Sequence, residues 1–214
     1  MSLESNIRKD ILEVGKRLNE RFFIASNDGN ISARVDKNSI LITPTGINKG
    51  YLKEEQLIKC DLEGNKLSGD LEVTSEIKMH LAVYKNREDV NAIVHAHPPA
   101  STAFASTTLK LDEDVILPEA IFSLGKIGYC SYGTPSTSEV SISVEKEVMD
   151  SNVLLLSNHG ALTLGKDVLS AYYKMENLEM VSTITMYTKI LGNTKKLNEE
   201  QVDKLTKIKL EKGW

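Results

Sequence analysis

The most informative stretch of this 214-residue sequence is residues 92–99, which read AIVHAHPP. The apolar, β-favouring start predicts a strand, and the two prolines predict its end because proline cannot donate to a central sheet ladder. Residues i and i+2 of a strand share one face, so the imidazoles of His95 and His97 should project to the same side. This arrangement is typical of a metal-binding pair, although two histidines at a strand end can also be ordinary polar residues.

A third histidine favours the metal interpretation. The sequence contains only four histidines, and a second buried-strand pattern, beginning at Val153, ends in His159 and is followed by Gly160. Two apolar strands that each end in histidine would bring His95, His97 and His159 together. Three neutral imidazoles that leave one position open for water or substrate are typical of a catalytic zinc site rather than a structural one.

Length and composition predict one domain over residues 1–214. A hydrophobic content of 41% is enough for a sizeable core. The net charge of −4 and the pI near 5.7 offer no basic surface for nucleic acid. The sequence has no 18-residue apolar run and no cleavable N-terminal signal, so we expect a cytoplasmic protein without a membrane partner. Cys60 and Cys130 lack CxxC spacing and are expected to be reduced residues without a ligand role.

The remaining pattern mixes strands and helices. Apolar spacing predicts an amphipathic helix over residues 5–21 and a hairpin over residues 31–43. A long helix is predicted from Asp167 to Ile190, and Gly192 should end it. Its apolar residues extend widely around the helix, so we expect burial on more than one side, with another subunit as one candidate for the covering surface. This mixture indicates a layered α/β domain with a mixed sheet.

A helix start is predicted at Thr74-Ser75-Glu76. A threonine or serine just ahead of an apolar helical run is typical of an N-cap, and free amides beside hydroxyls make an anion site. Glu76 would be favoured in a first helical turn whatever its function, so its structural and catalytic interpretations both stay open. His80, one turn further on, is interpreted as an ordinary helix residue.

Six short motifs occur in one order along the chain, and together they resemble the class II aldolase and adducin head-domain family. They are GNIS at 29–32, TPTG at 43–46, TSE at 74–76, HAHP at 95–98, YGTP at 132–135 and NHG at 158–160. The resemblance extends over about residues 7–190. It implies a three-layer αβα sandwich with a central mixed, largely antiparallel sheet, and a homotetramer.

The resemblance also implies roles for individual residues. His95, His97 and His159 match the family's ligands for one Zn²⁺ per subunit, and Glu76 matches the base of its fuculose-phosphate aldolases. Five residues match positions that hold the phosphate of a sugar phosphate: Asn30, Thr45, Gly46, Thr74 and Ser75. Hydroxyls, amides and a helix start can hold a phosphate dianion without an arginine.

The activity implied by the resemblance is a zinc-dependent aldolase reaction. It would cleave or form the C3–C4 bond of a ketose 1-phosphate similar to L-fuculose 1-phosphate, with dihydroxyacetone phosphate and a short aldehyde such as lactaldehyde as the other partners. Zinc would lower the pKa of the carbon acid, and a nearby carboxylate would move the proton. Two alternatives stay open: a pentulose-phosphate dehydratase or 4-epimerase using the same metal, and a non-catalytic adducin-like assembly module.

The chain departs from the fuculose-phosphate aldolase pattern in two places. The position at which those enzymes carry a tyrosine that protonates the aldehyde oxygen falls on Phe122. The tail over residues 205–214 also lacks a tyrosine. Glu119, Tyr129 and Tyr132 are candidates for the missing acid, and Tyr132 is equally interpretable as structural.

Overall fold

A single eight-stranded sheet forms the centre of the computed structural model, which describes residues 2–213. The strands are β1 (Asn30–Asp36), β2 (Ser39–Ile42), β3 (Ile58–Asp61), β4 (Lys66–Ser68), β5 (Ala92–Ala96), β6 (Ile127–Cys130), β7 (Val153–Leu156) and β8 (Gly160–Gly165). Their order across the sheet is β4-β3-β2-β1-β5-β8-β7-β6. Only the β6–β7 pair is parallel among these strands, so the predicted mixed, largely antiparallel sheet is confirmed.

Helices cover both faces of this sheet. They are α1 (Leu3–Glu20), α2 (Ile77–Asn86), α3 (Pro99–Ala105), α4 (Ser138–Glu147), α5 (Val168–Leu191) and α6 (Glu199–Lys212). Short 3-10 turns occur at Lys49–Tyr51 and Glu54–Gln56, and a π-helical turn occurs at Ala120–Leu124. Within residues 2–213, no helix combines the length and apolar character needed to cross a membrane. Trp214 lies outside the described residues.

Two hydrophobic cores separate the three layers. On one face of the sheet, Val94 and Ala96 pack in the core that contains residues of α1, α3 and α5. On the other face, Ile93 packs in the core that contains residues of α2 and α4. Successive residues of β5 therefore enter different cores, which explains why residues 92–94 are all apolar rather than alternating. The predicted three-layer αβα sandwich is confirmed.

The long helix α5 agrees with the prediction at its ends, and within this chain one side of it is buried. Asp167 caps its start, and Gly192 ends it at φ 76°. Its buried residues form one stripe, whereas Tyr173, Met180 and Tyr187 are 46%, 38% and 56% exposed. The second set of apolar side chains faces away from the core of this chain, so burial on more than one side stays a prediction that depends on another subunit.

Two details near the histidines also differ from the predictions. The strand β7 ends at Leu156, so His159 does not end a strand but closes the turn of residues 157–159 that leads into β8. In that turn, Asn158 adopts a left-handed φ of 54°. The helix α2 begins at Ile77 with Glu76 in the N-cap position, rather than Thr74 or Ser75. The Glu76 side chain makes no cap hydrogen bond because its carboxylate contacts Asn30 and the histidines instead.

Candidate active site

The structure brings the three predicted histidines together. His95 lies in β5, His97 follows one residue beyond its end, and His159 precedes β8, whose antiparallel pairing with β5 sets Ala96 opposite Ala161. The ring centroids are 4.9 Å apart for His95 and His97, 4.8 Å for His95 and His159, and 5.0 Å for His97 and His159. One ring nitrogen from each histidine lies within 4.8 Å of the others. This histidine cluster therefore has the spacing of a three-imidazole metal site.

Hydrogen bonding defines which nitrogen of His95 is available. The His95 Nδ1–H donates to the carbonyl of Ala161 at 2.9 Å, so Nε2 is the nitrogen that faces His97 and Glu76. That Nε2 lies 3.1 Å from Nε2 of His97. Two imidazole nitrogens bound to one tetrahedral zinc at ordinary bond lengths would be about 3.3 Å apart. The pair is thus spaced and oriented for a shared cation.

The carboxylate of Glu76 completes the donor set. Its Oε2 lies 3.2 Å from His95 Nε2 and its Oε1 lies 3.3 Å from His159 Nε2. Oε1 is buried with no hydrogen-bond partner among residues 2–213. A buried acceptor without a partner costs free energy, and a divalent cation at this position would remove that cost. Three imidazoles and one carboxylate are donors that zinc and similar divalent metals accept.

The electrostatics of the cluster couple Glu76 to His95. Burial lowers the pKa of His95, but the attraction of Glu76 and a hydrogen bond with it raise the pKa by more. Burial raises the pKa of Glu76, but the attraction of His95 and a hydrogen bond with it lower the pKa by more, so the carboxyl group stays ionised at neutral pH. Burial lowers the pKa of His97 to about 3 and that of His159 to about 4. Both imidazoles are therefore neutral at pH 7, which is the form that binds metal.

Two glycines permit the elements of the cluster to approach one another. A Cβ atom added to Gly160 would lie 2.5 Å from Cδ2 of His97 and 2.6 Å from the carbonyl oxygen of Ala96. Gly29 has φ +71°, and an added Cβ there would lie 2.8 Å from the carbonyl oxygen of His95. Side chains at these positions would push β8 and the turn before β1 away from the histidines.

The five predicted phosphate-binding residues lie around the start of α2. A β-bridge joins Pro44 to Val73, and the amide of Thr45 donates to the carbonyl of Glu72 at 3.1 Å. The predicted residues divide into two buried members, Asn30 and Thr74, and three exposed members, Thr45, Gly46 and Ser75. The Asn30 amide contacts the Thr74 hydroxyl at 3.4 Å. Gly46 has φ +75° and open space around it, which leaves room for a ligand at this loop.

Lys49 is a cation beside this cradle that the sequence analysis missed. Its side chain is buried at 2% exposure, and its ammonium donates to the carbonyl of Asn27 at 2.5 Å. Burial lowers the pKa of Lys49 to about 8, while Asp28 and Glu76 act to raise it. In the sequence, Asn48-Lys49-Gly50 reads as an exposed turn, so no local signal indicates a buried lysine.

Two further acidic residues lie beside the histidine-bearing segment and were also missed. Asp28 places an oxygen 3.7 Å from Nδ1 of His97. Glu179, on α5, accepts hydrogen bonds from the amides of Ala100 and Ser101 at 2.8 Å each and from the Ser101 hydroxyl at 2.7 Å. The chain just after His97 is therefore fixed to α5.

The candidates for the missing acid have different surroundings. The Tyr129 hydroxyl donates to Asp112 at 2.7 Å and accepts from the amide of Leu111 at 2.8 Å. Burial raises the pKa of Tyr129, which makes this hydroxyl a poor acid. Tyr132 is 59% exposed, and Glu119 precedes the π-helical turn that contains Phe122. Of these three candidates, Tyr129 is the one whose side chain has hydrogen-bond partners among residues 2–213.

His80 is not the ordinary helix residue that the sequence suggested. It is completely buried, and both of its ring nitrogens have hydrogen-bond partners on β1. A histidine on the apolar face of a short helix gives no local sign of such partners, because they come from a strand about fifty positions earlier in the sequence.

Comparison with known proteins identifies the family. Residues 9–186 match the family model described as Class II Aldolase and Adducin N-terminal domain. An L-fuculose phosphate aldolase of Methanococcus maripaludis is 39% identical over 183 residues, which cover 86% of this chain and 97% of that protein. A 3-oxo-tetronate 4-phosphate decarboxylase of Haemophilus influenzae is 33% identical over 173 residues, covering 79% of this chain and 81% of that protein.

A solved structure of an L-fuculose 1-phosphate aldolase agrees with the fold. It superimposes with a TM-score of 0.82 at 28% identity and covers 95% of this chain and 96% of its own. The family model, the relatives and this structure extend over both the sheet and the histidine cluster. The chain therefore belongs to the class II aldolase and adducin family and is an enzyme of its metal-dependent aldolase type.

Proposed function

We propose that this protein is a zinc-dependent aldolase that cleaves or forms the C3–C4 bond of a ketose 1-phosphate, with dihydroxyacetone phosphate as one product. The observation that carries the proposal is the position of Glu76 between the histidine cluster and the predicted phosphate cradle. Its carboxylate lies within 3.3 Å of two of the histidines and 2.8 Å from the amide of Asn30. A base placed between a metal site and a phosphate site can reach the carbon between the ketone and the bond that breaks.

Substrate orientation is assigned to the cradle. Asn30, Thr74 and the loop at Thr45 offer amides and hydroxyls to the phosphate group, and Ser75 adds another hydroxyl. Lys49 contributes a nearby positive charge that acts on Asp28 and Glu76. Fixing the phosphate sets the distance from Glu76 to C3 of the substrate.

Glu76 is assigned the proton transfer. In the condensation direction, its ionised carboxylate removes a proton from C3 of dihydroxyacetone phosphate, and the resulting enediolate attacks the aldehyde carbon. In the cleavage direction, the C4 hydroxyl gives up its proton, the C3–C4 electrons pass to the enediolate and the aldehyde leaves. A proton taken up by the Glu76 carboxylate is then delivered to C3, so the net change moves one proton from the C4 oxygen to C3. A divalent cation held by His95, His97 and His159, for which we propose Zn²⁺, would stabilise the negative charge of the enediolate.

The decarboxylase relative supports a second candidate function. Loss of carbon dioxide from a 3-oxo-tetronate 4-phosphate leaves the same enediolate of dihydroxyacetone phosphate, so Glu76 would protonate the same carbon. The two reactions differ in the group that leaves, which is an aldehyde in one and carbon dioxide in the other. We favour the aldolase because the more similar relative and the solved structure carry that name.

Assembly and location form part of the proposal. We propose a homotetramer, and the exposed apolar side chains of α5, Tyr173, Met180 and Tyr187, are candidates for its interfaces. A cytoplasmic location is proposed from composition alone. The non-catalytic assembly module has less support, since the three histidines and Glu76 converge on one point.

The test is metal analysis followed by a substrate panel. Purified protein is assayed with L-fuculose 1-phosphate, ribulose 1-phosphate, 5-deoxyribulose 1-phosphate and 3-oxo-tetronate 4-phosphate, and dihydroxyacetone phosphate is detected by coupled NADH oxidation. Bound zinc and triose-phosphate release from a ketose 1-phosphate would support the aldolase. Release from the acid alone, with carbon dioxide, would support the decarboxylase. Bound metal without triose phosphate would favour the dehydratase or epimerase.

A further inference from the structure

A line of buried polar side chains runs from Glu76 into the core of the protein. Asn30 and Ser32 come from β1, and His80 and Tyr84 come from α2; their exposed fractions are 2%, 0%, 0% and 2%. On α2, residues 76, 80 and 84 are spaced four apart and share one helix face. On β1, residues 30, 32 and 34 are spaced two apart and share one strand face. The two faces meet, and their polar side chains alternate along the line.

The donor and acceptor roles at the Glu76 end are fixed by charge. An ionised carboxylate can only accept, so the Asn30 amide must direct its NH₂ group to Glu76 Oε2, at 2.8 Å. The Asn30 carbonyl oxygen then faces Nε2 of His80 at 2.5 Å. A carbonyl oxygen cannot donate, so His80 Nε2 must carry a hydrogen. Turning the Asn30 amide around would place two acceptors against each other at Glu76.

The roles at the other end follow in turn. Burial lowers the pKa of His80 to about 3, so its ring is neutral and a hydrogen on Nε2 leaves a lone pair on Nδ1. The Ser32 hydroxyl lies 2.6 Å from Nδ1 and must donate to it. Ser32 has one hydrogen, so its oxygen accepts from the Tyr84 hydroxyl at 2.8 Å. Every hydrogen in the line therefore points toward Glu76.

Arg34 closes the line at its far end. Its guanidinium lies 4.6 Å from the centre of the Tyr84 ring, and it donates to the backbone carbonyls of Tyr84 at 2.6 Å and Val90 at 3.0 Å. These contacts fix the end of α2 against β1. The ring of Tyr84, and with it the first donor of the line, is held in place.

We propose that Tyr84, Ser32, His80 and Asn30 form a one-directional hydrogen-bond chain that holds the Glu76 carboxylate in its catalytic orientation, with neutral His80 in the Nε2–H form as the central positioning residue. Asn30 is the donor to this carboxylate whose identity does not depend on the protonation of a histidine. His80 fixes which way that amide faces. The catalytic part of the inference rests on the proposed role of Glu76 as the base, whereas the hydrogen positions do not.

Three substitutions of His80 distinguish the contribution of its Nε2 donor from that of its Nδ1 acceptor. Glutamine can place an amide nitrogen near the position of Nε2 and keep the donor to Asn30. Asparagine can place an oxygen near the position of Nδ1 and keep only the acceptor for Ser32. Leucine keeps neither. The proton exchange of dihydroxyacetone phosphate at C3 is measured for His80→Gln, His80→Asn and His80→Leu, together with metal content and thermal unfolding.

The expected result is an ordered loss in kcat rather than KM. His80→Gln should stay within about 10-fold of the original kcat, and His80→Asn and His80→Leu should lose roughly 100-fold, as expected for a misplaced catalytic group. Metal content should change little in all three, and KM should change less than kcat because Asn30 is one of five residues assigned to the phosphate. Equal losses for glutamine and asparagine, or losses confined to KM or metal content, would overturn the proposal.

The hydrogen positions are tested without any substrate. In protein labelled with ¹⁵N at histidine, the His80 signal, identified by its loss in His80→Gln, should show the neutral Nε2–H form without titration between pH 5.5 and 8. A hydrogen on Nδ1, or an imidazolium, would overturn the chain. Failure to cleave any ketose phosphate would instead contradict the proposed function and would leave the NMR result to decide the inference.

Discussion

The carboxylate of Glu76 separates two groups of polar side chains that are built in opposite ways. On one side, the histidine cluster leaves donors and acceptors without partners: two Nε2 atoms face each other at 3.1 Å, and Glu76 Oε1 has no hydrogen-bond partner among the described residues. On the other side, each functional group of Asn30, Ser32, His80 and Tyr84 has a partner within the chain. The histidine cluster can therefore bind an external ligand, whereas the hydrogen-bonded side chains can fix the orientation of the Glu76 carboxylate.

The largest expected effect on activity comes from removing one imidazole of the histidine cluster. His95→Ala removes one of three imidazoles, so the protein should lose its metal and its cleavage activity should fall by at least about 10³-fold, a loss of several kcal/mol in transition-state stabilisation. Elemental analysis and the triose-phosphate assay would measure both. His80→Gln is the matched control because it changes a histidine on the other side of Glu76 and should retain the metal. Full activity in metal-free His95→Ala would contradict the account.

Replacing Glu76, while keeping the histidine cluster and the hydrogen-bond chain intact, should have the next largest effect. Glu76→Gln retains the shape of the side chain but cannot take a proton, so kcat for cleavage should fall roughly 10²- to 10⁴-fold. Bound metal and the affinity for inorganic phosphate should remain. An unchanged kcat would show that another residue moves the proton.

The phosphate cradle should show a smaller effect that appears in KM. The double substitution Thr74→Ala with Ser75→Ala removes two hydroxyls. KM for the phosphorylated substrate should rise at least about 10- to 100-fold, the effect of losing one hydrogen bond to a charged group at about 1.5–3 kcal/mol. Steady-state kinetics with the unphosphorylated sugar provide the control. Equal effects on both substrates would remove these residues from the phosphate site.

The smallest effect concerns stability against acid. Unfolded histidine has a pKa near 6.5, whereas burial lowers that of His80 to about 3, so the unfolded state binds more protons and the folded state loses stability as the pH falls below about 6.5. His80→Gln removes this one contribution. Between pH 7.5 and 5.5 it should lose about 1.4 kcal/mol less free energy of unfolding than the original protein. Denaturant unfolding at both pH values measures the difference, and equal losses would show that His80 is not a buried neutral residue.

The sequence predicts the sheet and the histidine cluster well because both have local signals. Apolar runs that end in histidine mark β5 and the turn before β8, and the strand face shared by residues i and i+2 explains why His95 and His97 converge. The exact role of His159 as a turn residue was missed because Ser157 and Asn158 carry no strong break in the apolar pattern. The turn depends on the left-handed conformation of Asn158.

The residues that position Glu76 are marked in the sequence by their spacing, but that spacing can be interpreted only when the fold is known. The spacing of residues 76, 80 and 84 on a helix and 30, 32 and 34 on a strand is visible in the sequence. What cannot be read there is that β1 and α2 pack face to face, since they are separated by three strands of the sheet along the chain. Lys49 has no such signal at all, because its burial depends on the turn that carries Asn27.

The exposed apolar side chains of α5 show that periodicity can predict burial without identifying the covering surface. Met180 and Tyr187 continue the apolar pattern of the buried stripe, so periodicity predicts their burial without saying what covers them. Within one chain nothing described covers them, and their surroundings depend on assembly.

If Glu76 moves the C3 proton of dihydroxyacetone phosphate at a metal site, that proton should exchange in deuterated water. Metal-loaded protein should exchange one C3 hydrogen, as followed by ¹H NMR without any aldehyde present. Chelation or Glu76→Gln should remove the exchange. No exchange by the metal-loaded protein, or exchange at the original rate in Glu76→Gln, would contradict the account.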